Sequence, residues 1–436
     1  MLDKPPLALN DDFRYALDTL EKEERNMFIT GRAGTGKSTL LQLFRRTSRK
    51  KTAVLAPTGV AALNVQGQTI HSFFGFPPRI ITQQEASRRV TRKDLKRLYQ
   101  NLQVLIIDEI SMVRADILDG MNRFLQVNRE NMRPFGGVQV VLFGDPFQLP
   151  PVVANDPVES AYFRDYYETP YFFSAQVFQE PGFDPEMIEL RKVYRQESRH
   201  FLRLLEAVRI NELDRDDLDD LNERWAPDVV APEGYITLSA RNATADRINR
   251  QALERLAGKE HTFLAEVKGQ FDPGLYPTEA MLRLRIGAQV MFIKNDLEKQ
   301  FVNGTIGRVT ALSATQMTVL VEEENGKQRN IAVAPAEWEM VRYKASATGD
   351  IETETIGSFR QYPLKLAWAI TIHKSQGKTF DRVLIDLEGG AFEHGQLYVA
   401  LSRCRTLDGI LLRQPVRPRD VITDERVVDF FSRYFR

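Results

Sequence analysis

The sequence predicts an α/β fold built from two parallel-sheet halves, with a small antiparallel β module inserted in the second half. Three observations lead there. Short apolar runs rich in β-branched residues, with almost no alternation, recur at residues 27–29, 52–55, 104–107 and 138–143. Strands covered on both faces read this way, and the helical or loop segments between them are what a parallel sheet needs. A second set follows at 235–238, 289–293, 366–371, 383–386 and 410–412. Between the second and third of these the texture changes. Residues 307–312, 317–322 and 328–333 alternate in part, and Asn325-Gly326 is a two-residue hairpin signal. The expected division is therefore 1–182, then 183–293 with 363–436, then the β module 294–362.

The first predicted element is an amphipathic helix over 7–24, where Phe13, Ala16, Leu17 and Leu20 recur at helical spacing. It leads into the strand at 27–29, and helix signals resume at Lys37 after a glycine-rich turn. Composition excludes several classes of protein. With 43% hydrophobic and 27% charged residues, disorder and collagen-like repeats are out. The longest apolar runs, 366–370 and 397–401, fall far short of the ~18 residues that span a bilayer. The N-terminus lacks the apolar core of a signal peptide. A cytoplasmic chain with no membrane partner is the expectation, and a monomer. One cysteine and five histidines exclude an internal disulfide and a Cys/His zinc cluster. Lys and Arg number 59 against 59 Asp and Glu, so a nucleic acid would have to be held in a local groove.

Chemistry concentrates first at Gly31-Arg32-Ala33-Gly34-Thr35-Gly36-Lys37-Ser38, which fits G-x-x-x-x-G-K-[ST] without deviation. Glycines let backbone N–H groups turn inward around phosphates, and the following helix offers its positive end. Gly34, Thr35, Gly36, Lys37, Ser38 and Thr39 are thus candidate nucleotide ligands. Lys37 supplies a charge to the β and γ phosphates, and Ser38 a hydroxyl to Mg²⁺. Asp108-Glu109 follows the strand at 104–107, at the end where α/β sheets place ligands. Asp108 is the second candidate for Mg²⁺, and Glu109 the group that orients and deprotonates the attacking water. Gln148, after the next strand, can bond both a γ-phosphate and a water; the alternative is a loop amide satisfied locally. An NTPase also needs positive charge on its transition state, and Arg195 and Arg403 are candidates far along the chain. Taken singly, each reads equally as a surface or ion-pair arginine.

The ordered motifs resemble the petite-integration-frequency family of superfamily-1B 5′-to-3′ DNA helicases. Besides the phosphate loop and Asp108-Glu109-Ile110-Ser111-Met112, the matching residues are Ala56-Pro57-Thr58-Gly59-Val60-Ala61-Ala62, Thr69-Ile70-His71-Ser72-Phe73-Phe74 and Pro134-Phe135-Gly136-Gly137. Gly144 to Pro151, Arg195-Gln196, Val302-Asn303-Gly304-Thr305, Thr371-Ile372-His373-Lys374-Ser375-Gln376-Gly377 and Tyr398 to Arg403 complete the set. The resemblance implies two RecA-like domains that close on ATP and Mg²⁺ and translocate 5′ to 3′ on single-stranded DNA, unwinding forked or structured DNA. By the same resemblance, Arg195 and Arg403 are arginine fingers, and Gln376 and Gly377 lie near the γ-phosphate. Thr58, Gly59, Thr69, His71, Ser72 and Phe73 face DNA on the first domain, and Thr371, His373 and Lys374 on the second. Residues about 65–77 correspond to a wedge insertion, and 294–362 to an SH3-like one. Phe13 stands where many relatives carry an adenine-reading glutamine, which leaves base selectivity open. The short termini imply a compact, bacterial or phage-type core.

The DNA surface also has a physical logic of its own. Single strands are held by backbone contacts and by stacking on aromatic faces. His71, Phe73 and Phe74, interleaved with the hydroxyls of Thr69 and Ser72, suit that task. Equally, Phe73 and Phe74 can be core residues and His71 can close a turn. A nucleotide-switched binding protein, or a translocase that does not separate strands, remains an alternative to the helicase.

Overall fold

A computed structural model describes residues 10–153, 156–296, 298, 300–314, 316–322, 326–346 and 348–435. Residues 7–9 of the expected first helix and Asn325 of the hairpin signal lie outside them. The chain divides into two compact units.

The first unit holds the described residues up to Tyr194, together with Val341–Thr355 and the C-terminal residues from Glu425. Its sheet has six strands: β1 (Met27–Gly31), β2 (Thr52–Ala56), β3 (Gln68–Thr69), β4 (Val104–Ile107), β5 (Gln139–Phe143) and β6 (Glu186–Leu190). They lie in the order β3-β2-β4-β5-β1-β6, and every neighbouring pair is parallel. β1, β4 and β5 are buried at every position, which is why their sequences are apolar without alternation. One face packs on Phe13, Leu40, Leu41 and Phe44. The other packs on a larger, aromatic-rich cluster that includes Phe28, Phe73, Phe74, Tyr99, Phe124 and Phe172.

The expected first boundary at 182 falls too early. β6 pairs with β1 along five residues, from Met27↔Glu186 to Gly31↔Leu190, so this unit runs on to Tyr194. The first helix is also shorter than expected. It covers Asp11–Asp18, continues as a wider turn over Thr19–Glu23, and stops at Glu24, whose φ is +55°. The C-terminal helix Glu425–Tyr434 belongs to this unit rather than with 363–424. Its Phe430 stacks on Phe173 at 4.4 Å and meets Phe28 at 5.9 Å. Val341–Thr355 likewise returns here from the expected β module. Its Tyr343 hydroxyl accepts from the Val54 amide at 3.0 Å, and its ring meets Phe73 edge-on at 5.8 Å.

Pro134-Phe135-Gly136-Gly137 forms a tight double turn in which Phe135 has φ +49° and Gly136 φ +63°. Asn122 Oδ1 accepts from the Phe135 amide at 2.7 Å, tying the turn to the helix Ala115–Arg129. A Cβ on Gly136 would sit 2.7 Å from the Leu125 carbonyl oxygen, so only glycine fits.

The second unit spans Arg195–Met340 and Ile356–Asp424. Its parallel sheet has four strands, in the order Ala369–Thr371, Ile236–Ser239, Val383–Asp386, Ile410–Leu412. Residues 289–293, expected in this sheet, are elsewhere. Gln289–Phe292 pairs antiparallel with Ile306–Leu312 and with Leu364–Leu366. Those three strands join Met317–Glu322 and Gln328–Val333 in a five-stranded antiparallel sheet. Val290, Val309, Val319, Ile331 and Leu364 fill its core. Gln289–Phe292 is buried at all four positions, so it lacks the alternation that would have marked it as antiparallel. Among the described residues no helix is long and apolar enough to cross a membrane.

Candidate functional site

β1 delivers the phosphate loop. It ends at Gly31, and the helix Lys37–Thr47 starts at Gly36, whose φ of +90° and lack of a side-chain cap leave the first-turn amides without an internal acceptor. Gly31 is forced: a Cβ there would lie 2.6 Å from the Leu190 carbonyl oxygen and 2.7 Å from Thr35 Oγ1. Thr35 is buried and its hydroxyl donates to the Arg32 carbonyl at 2.9 Å, which folds the loop on itself. Gly34 is fixed by the Tyr194 amide, which donates to its carbonyl at 2.9 Å. Lys37 Nζ reaches back to the carbonyl oxygens of Gly31 at 2.5 Å and Arg32 at 3.2 Å. Ser38 and Thr39 are exposed on the first turn.

Phe13 is 2% exposed and its ring underlies Gly36 at 3.0 Å from where a Cβ would be. The ring packs and has no group to hydrogen-bond.

The acidic pair ends β4. The Asp108 amide donates to Leu55 O at 2.9 Å, which anchors the strand end to β2. Burial, and then the neighbouring Glu109 charge, push the Asp108 carboxyl up to about 7, while Lys37 pulls it down. Glu109 sits at φ +52°, an unfavourable conformation for a residue with a Cβ, of the kind that gathers at working sites. Gly144 directly follows β5 and lies against this turn, where a Cβ would lie 2.8 Å from Ile110 Cγ2 and 3.0 Å from its amide. Gln148 is buried and its Nε2 donates to Asp145 Oδ2 at 3.1 Å. Lys37, Asp108, Glu109 and Gln148 thus follow the same ends of three adjacent strands.

The hydroxyl of Thr58 caps the helix Gly59–Asn64 by accepting from the Ala61 amide at 3.2 Å. Thr69 caps Ile70–Phe74 through the Ser72 amide, also at 3.2 Å. Ser72 is exposed and accepts from Gln68 Nε2 at 2.8 Å. The His71 carbonyl accepts from the Phe76 amide at 2.9 Å and closes the turn; burial, and then Arg114, hold its imidazole below the usual range. Phe73 is 5% exposed and Phe74 1%, both within the aromatic cluster. The stacking expectation for Phe73 is therefore corrected: its ring meets Tyr99 at 5.4 Å and Tyr343 at 5.8 Å and presents no free face.

In the second unit, two arginines more than two hundred residues apart converge on the end of the helix Gln396–Ser402. Arg195 Nη1 donates to Ser402 O at 3.0 Å, and Gln196 Nε2 to Ser402 O at 3.1 Å and Cys404 O at 2.9 Å. Arg403, 1% exposed, donates to Val399 O at 3.0 Å and Ser402 Oγ at 2.8 Å. Burial, and then the Arg403 charge, push Arg195 down to about 9. Arg403 is buried and Arg195 partly so, and like charges brought together this way cost stability.

Thr371 is buried, its hydroxyl accepting from the Lys374 amide at 3.3 Å, and His373 Nε2 lies 3.1 Å from Glu393. Gln376 Nε2 is buried with no hydrogen-bond partner among the described residues, and Gly377 has φ +73°. Two residues that sequence reading missed belong beside these. Burial, and then neighbouring cations, lower Lys365 and Lys378 to about 8; Lys374 acts on the first, and Lys365 and Arg403 on the second. Lys378 directly follows Gly377 and could have been found by extending that motif. Lys365 lies on another strand, and nothing local marks it.

The two halves of this arrangement match known helicases. Residues 8–209 match the PIF1-like helicase family, and 366–407 match the UvrD-like helicase C-terminal domain. The Bdellovibrio bacteriovorus ATP-dependent DNA helicase Pif1 is 32% identical over 435 residues, covering 98% of this chain and 92% of that one. The chain belongs to the PIF1-like helicase family. Human ATP-dependent DNA helicase PIF1 is 34% identical over 422 residues, covering 94% of this chain and 61% of that one. The chain thus spans about three fifths of the length of the human and mouse relatives. Pif1 from Bacteroides sp. in complex with ADP-AlF4 superposes with a TM-score of 0.90 at 38% identity, covering 98% of this chain and 97% of that one. The same Bacteroides protein is also known bound to ssDNA, with a TM-score of 0.70.

Proposed function

We propose that this chain is an ATP-dependent DNA helicase that moves 5′ to 3′ on single-stranded DNA and parts duplex or structured DNA ahead of it. One observation carries it: a phosphate loop, an acidic pair and a glutamine follow adjacent strand ends in one unit, and an arginine pair is built into the other. Lys37 exchanges its loop carbonyls for β- and γ-phosphate oxygens. Glu109 orients the attacking water and takes its proton, and Gln148, held by Asp145, registers the γ-phosphate. Arg195 and Arg403 act as fingers on the charge that develops during transfer, with Gln376 and Gly377 beside the γ-phosphate.

Mg²⁺ fits the residues present. Ser38 offers an exposed hydroxyl, and the Asp108 carboxyl, whose charge burial disfavours, regains a partner when a cation arrives. When bound, the ion neutralises phosphate charge. Thr58, Gly59, Thr69, His71 and Ser72 on the first unit, and Thr371, His373 and Lys374 on the second, form the DNA surface; Phe73 supports it from below. The units are read as RecA-like domains, residues about 65–77 as the wedge, and the five-stranded sheet as the SH3-like insertion. The free protein is read as a cytoplasmic monomer.

The test places a duplex behind a 5′ or a 3′ single-stranded tail and adds ATP and Mg²⁺. Strand separation from the 5′ tail alone supports the assignment. An ATPase rate indifferent to every oligonucleotide would favour the nucleotide-switched alternative.

A further inference from the structure

Residues 88–97 of the first unit read Arg88-Arg89-Val90-Thr91-Arg92-Lys93-Asp94-Leu95-Lys96-Arg97, six cations against one acid in a chain whose total is balanced. The helix Lys93–Asn101 divides its residues cleanly. Leu98 and Tyr99 are buried, while Lys93, Lys96, Arg97 and Gln100 recur at i, i+3, i+4 and i+7 on one exposed face. Local acids cannot neutralise this face. Arg92 takes Asp94 at 2.6 Å, and Arg89 and Lys96 share Glu130 at 3.8 and 3.7 Å. Lys93 and Arg97 make no ion pair among the described residues. Helix stability does not account for the pattern either. Arg92 at the N-cap and Lys93 at the first position oppose the helix dipole, which favours acids there.

The buried side fixes where the basic face stands. Tyr99 donates its hydroxyl to Phe73 O at 2.6 Å, their rings meet at 5.4 Å, and Arg88 Nη2 donates to Phe74 O at 3.2 Å. The stripe is thus bolted to the segment Ile70–Phe74, inside the stretch read as the wedge.

We propose that the exposed face of Lys93–Asn101 binds the sugar-phosphate backbone of duplex DNA beside the point where strands part. This rests on the DNA-motor reading and adds a duplex-specific surface to it. Duplex is favoured over single strand because the nearby rings of Phe73, Phe74 and Tyr99 are all buried, so no stacking platform accompanies the charges. A rigid row of cations suits the phosphate density of a double helix, one charge per ~1.7 Å of axis.

The test is the triple variant Lys93→Gln, Lys96→Gln, Arg97→Gln, which keeps good helix formers on an exposed face. Fluorescence anisotropy across a salt series would compare a single-stranded oligonucleotide with the same strand as the 5′ tail of a duplex. Expected are unchanged melting, unchanged single-strand affinity and unchanged single-strand-stimulated ATPase. Tailed-duplex affinity should fall roughly tenfold, and the slope of log K against log salt should shrink by about 2–3, since each phosphate contact adds about 0.9. Equal tailed-duplex affinity and slope in parent and variant would overturn the proposal, as would an equal loss on both substrates. A parent enzyme that ignores single strands sinks the motor reading instead, while a blunt duplex still reads out this face.

Discussion

At the phosphate loop one side chain does two things at once: Lys37 closes the loop through Gly31 O and Arg32 O and restrains the rise of the Asp108 carboxyl. Lys37→Ala should cut ATP turnover by about 10²–10³-fold or more while the fold survives; steady-state ATPase assays beside a thermal melt check it, and undiminished turnover would remove Lys37 from the site. Arg403→Ala should keep ATP binding and lose roughly 10³-fold in kcat. Because its side chain also holds Val399 O and Ser402 Oγ, Arg403→Lys is the better control, restoring charge without the planar fork. Near-normal kcat in either variant would end the finger assignment. Lys365 offers a test through pH. Its folded value of about 8 lies below the ordinary 10.5, so below pH 8 a costly buried charge is present. Between about 8 and 10.5 the unfolded chain holds the extra proton, and stability rises with pH. Lys365→Met should therefore be more stable than the parent at pH 7 by roughly 1–2 kcal/mol, and the gap should close by pH 10 in denaturant unfolding. A gap that stays constant would refute it.

Among the elements, those defined by local rules were legible from the sequence. β1, β2, β4 and β5 and the helix Lys37–Thr47 follow from apolar runs and a glycine motif, and the acidic pair follows from its strand. What stayed hidden depends on partners far along the chain. Gln289–Phe292 reads as a parallel strand because burial on both faces erases alternation, whichever way its neighbours run. Phe73 could be read as a stacking ring or as core, since an aromatic between hydroxyls suits either; only Tyr99, Phe124 and Tyr343 decide it. Phe73→Ala should consequently cost about 3–5 kcal/mol of stability. Phe73→Leu should keep single-strand affinity where both proteins are folded. Calorimetry and anisotropy separate the two effects, and a lost affinity with an intact melt would restore the stacking role.

On the scale of the whole chain, neither unit is continuous in sequence. The first gathers its last pieces from Val341–Thr355 and from Glu425 onward, after the chain has built most of the second. Hydrophobic patterning shows that a segment has a face to bury but not which sheet receives it, so both returns escaped the sequence-based domain division. They bear on how such a protein can be dissected. Cutting out 294–362 to ask what the inserted β segment contributes would also withdraw Tyr343 from beneath Val54 and Phe73. The shortened protein would carry a hole in its first unit, and its failure would be blamed on the wrong part. A faithful deletion has to leave Val341–Thr355 behind.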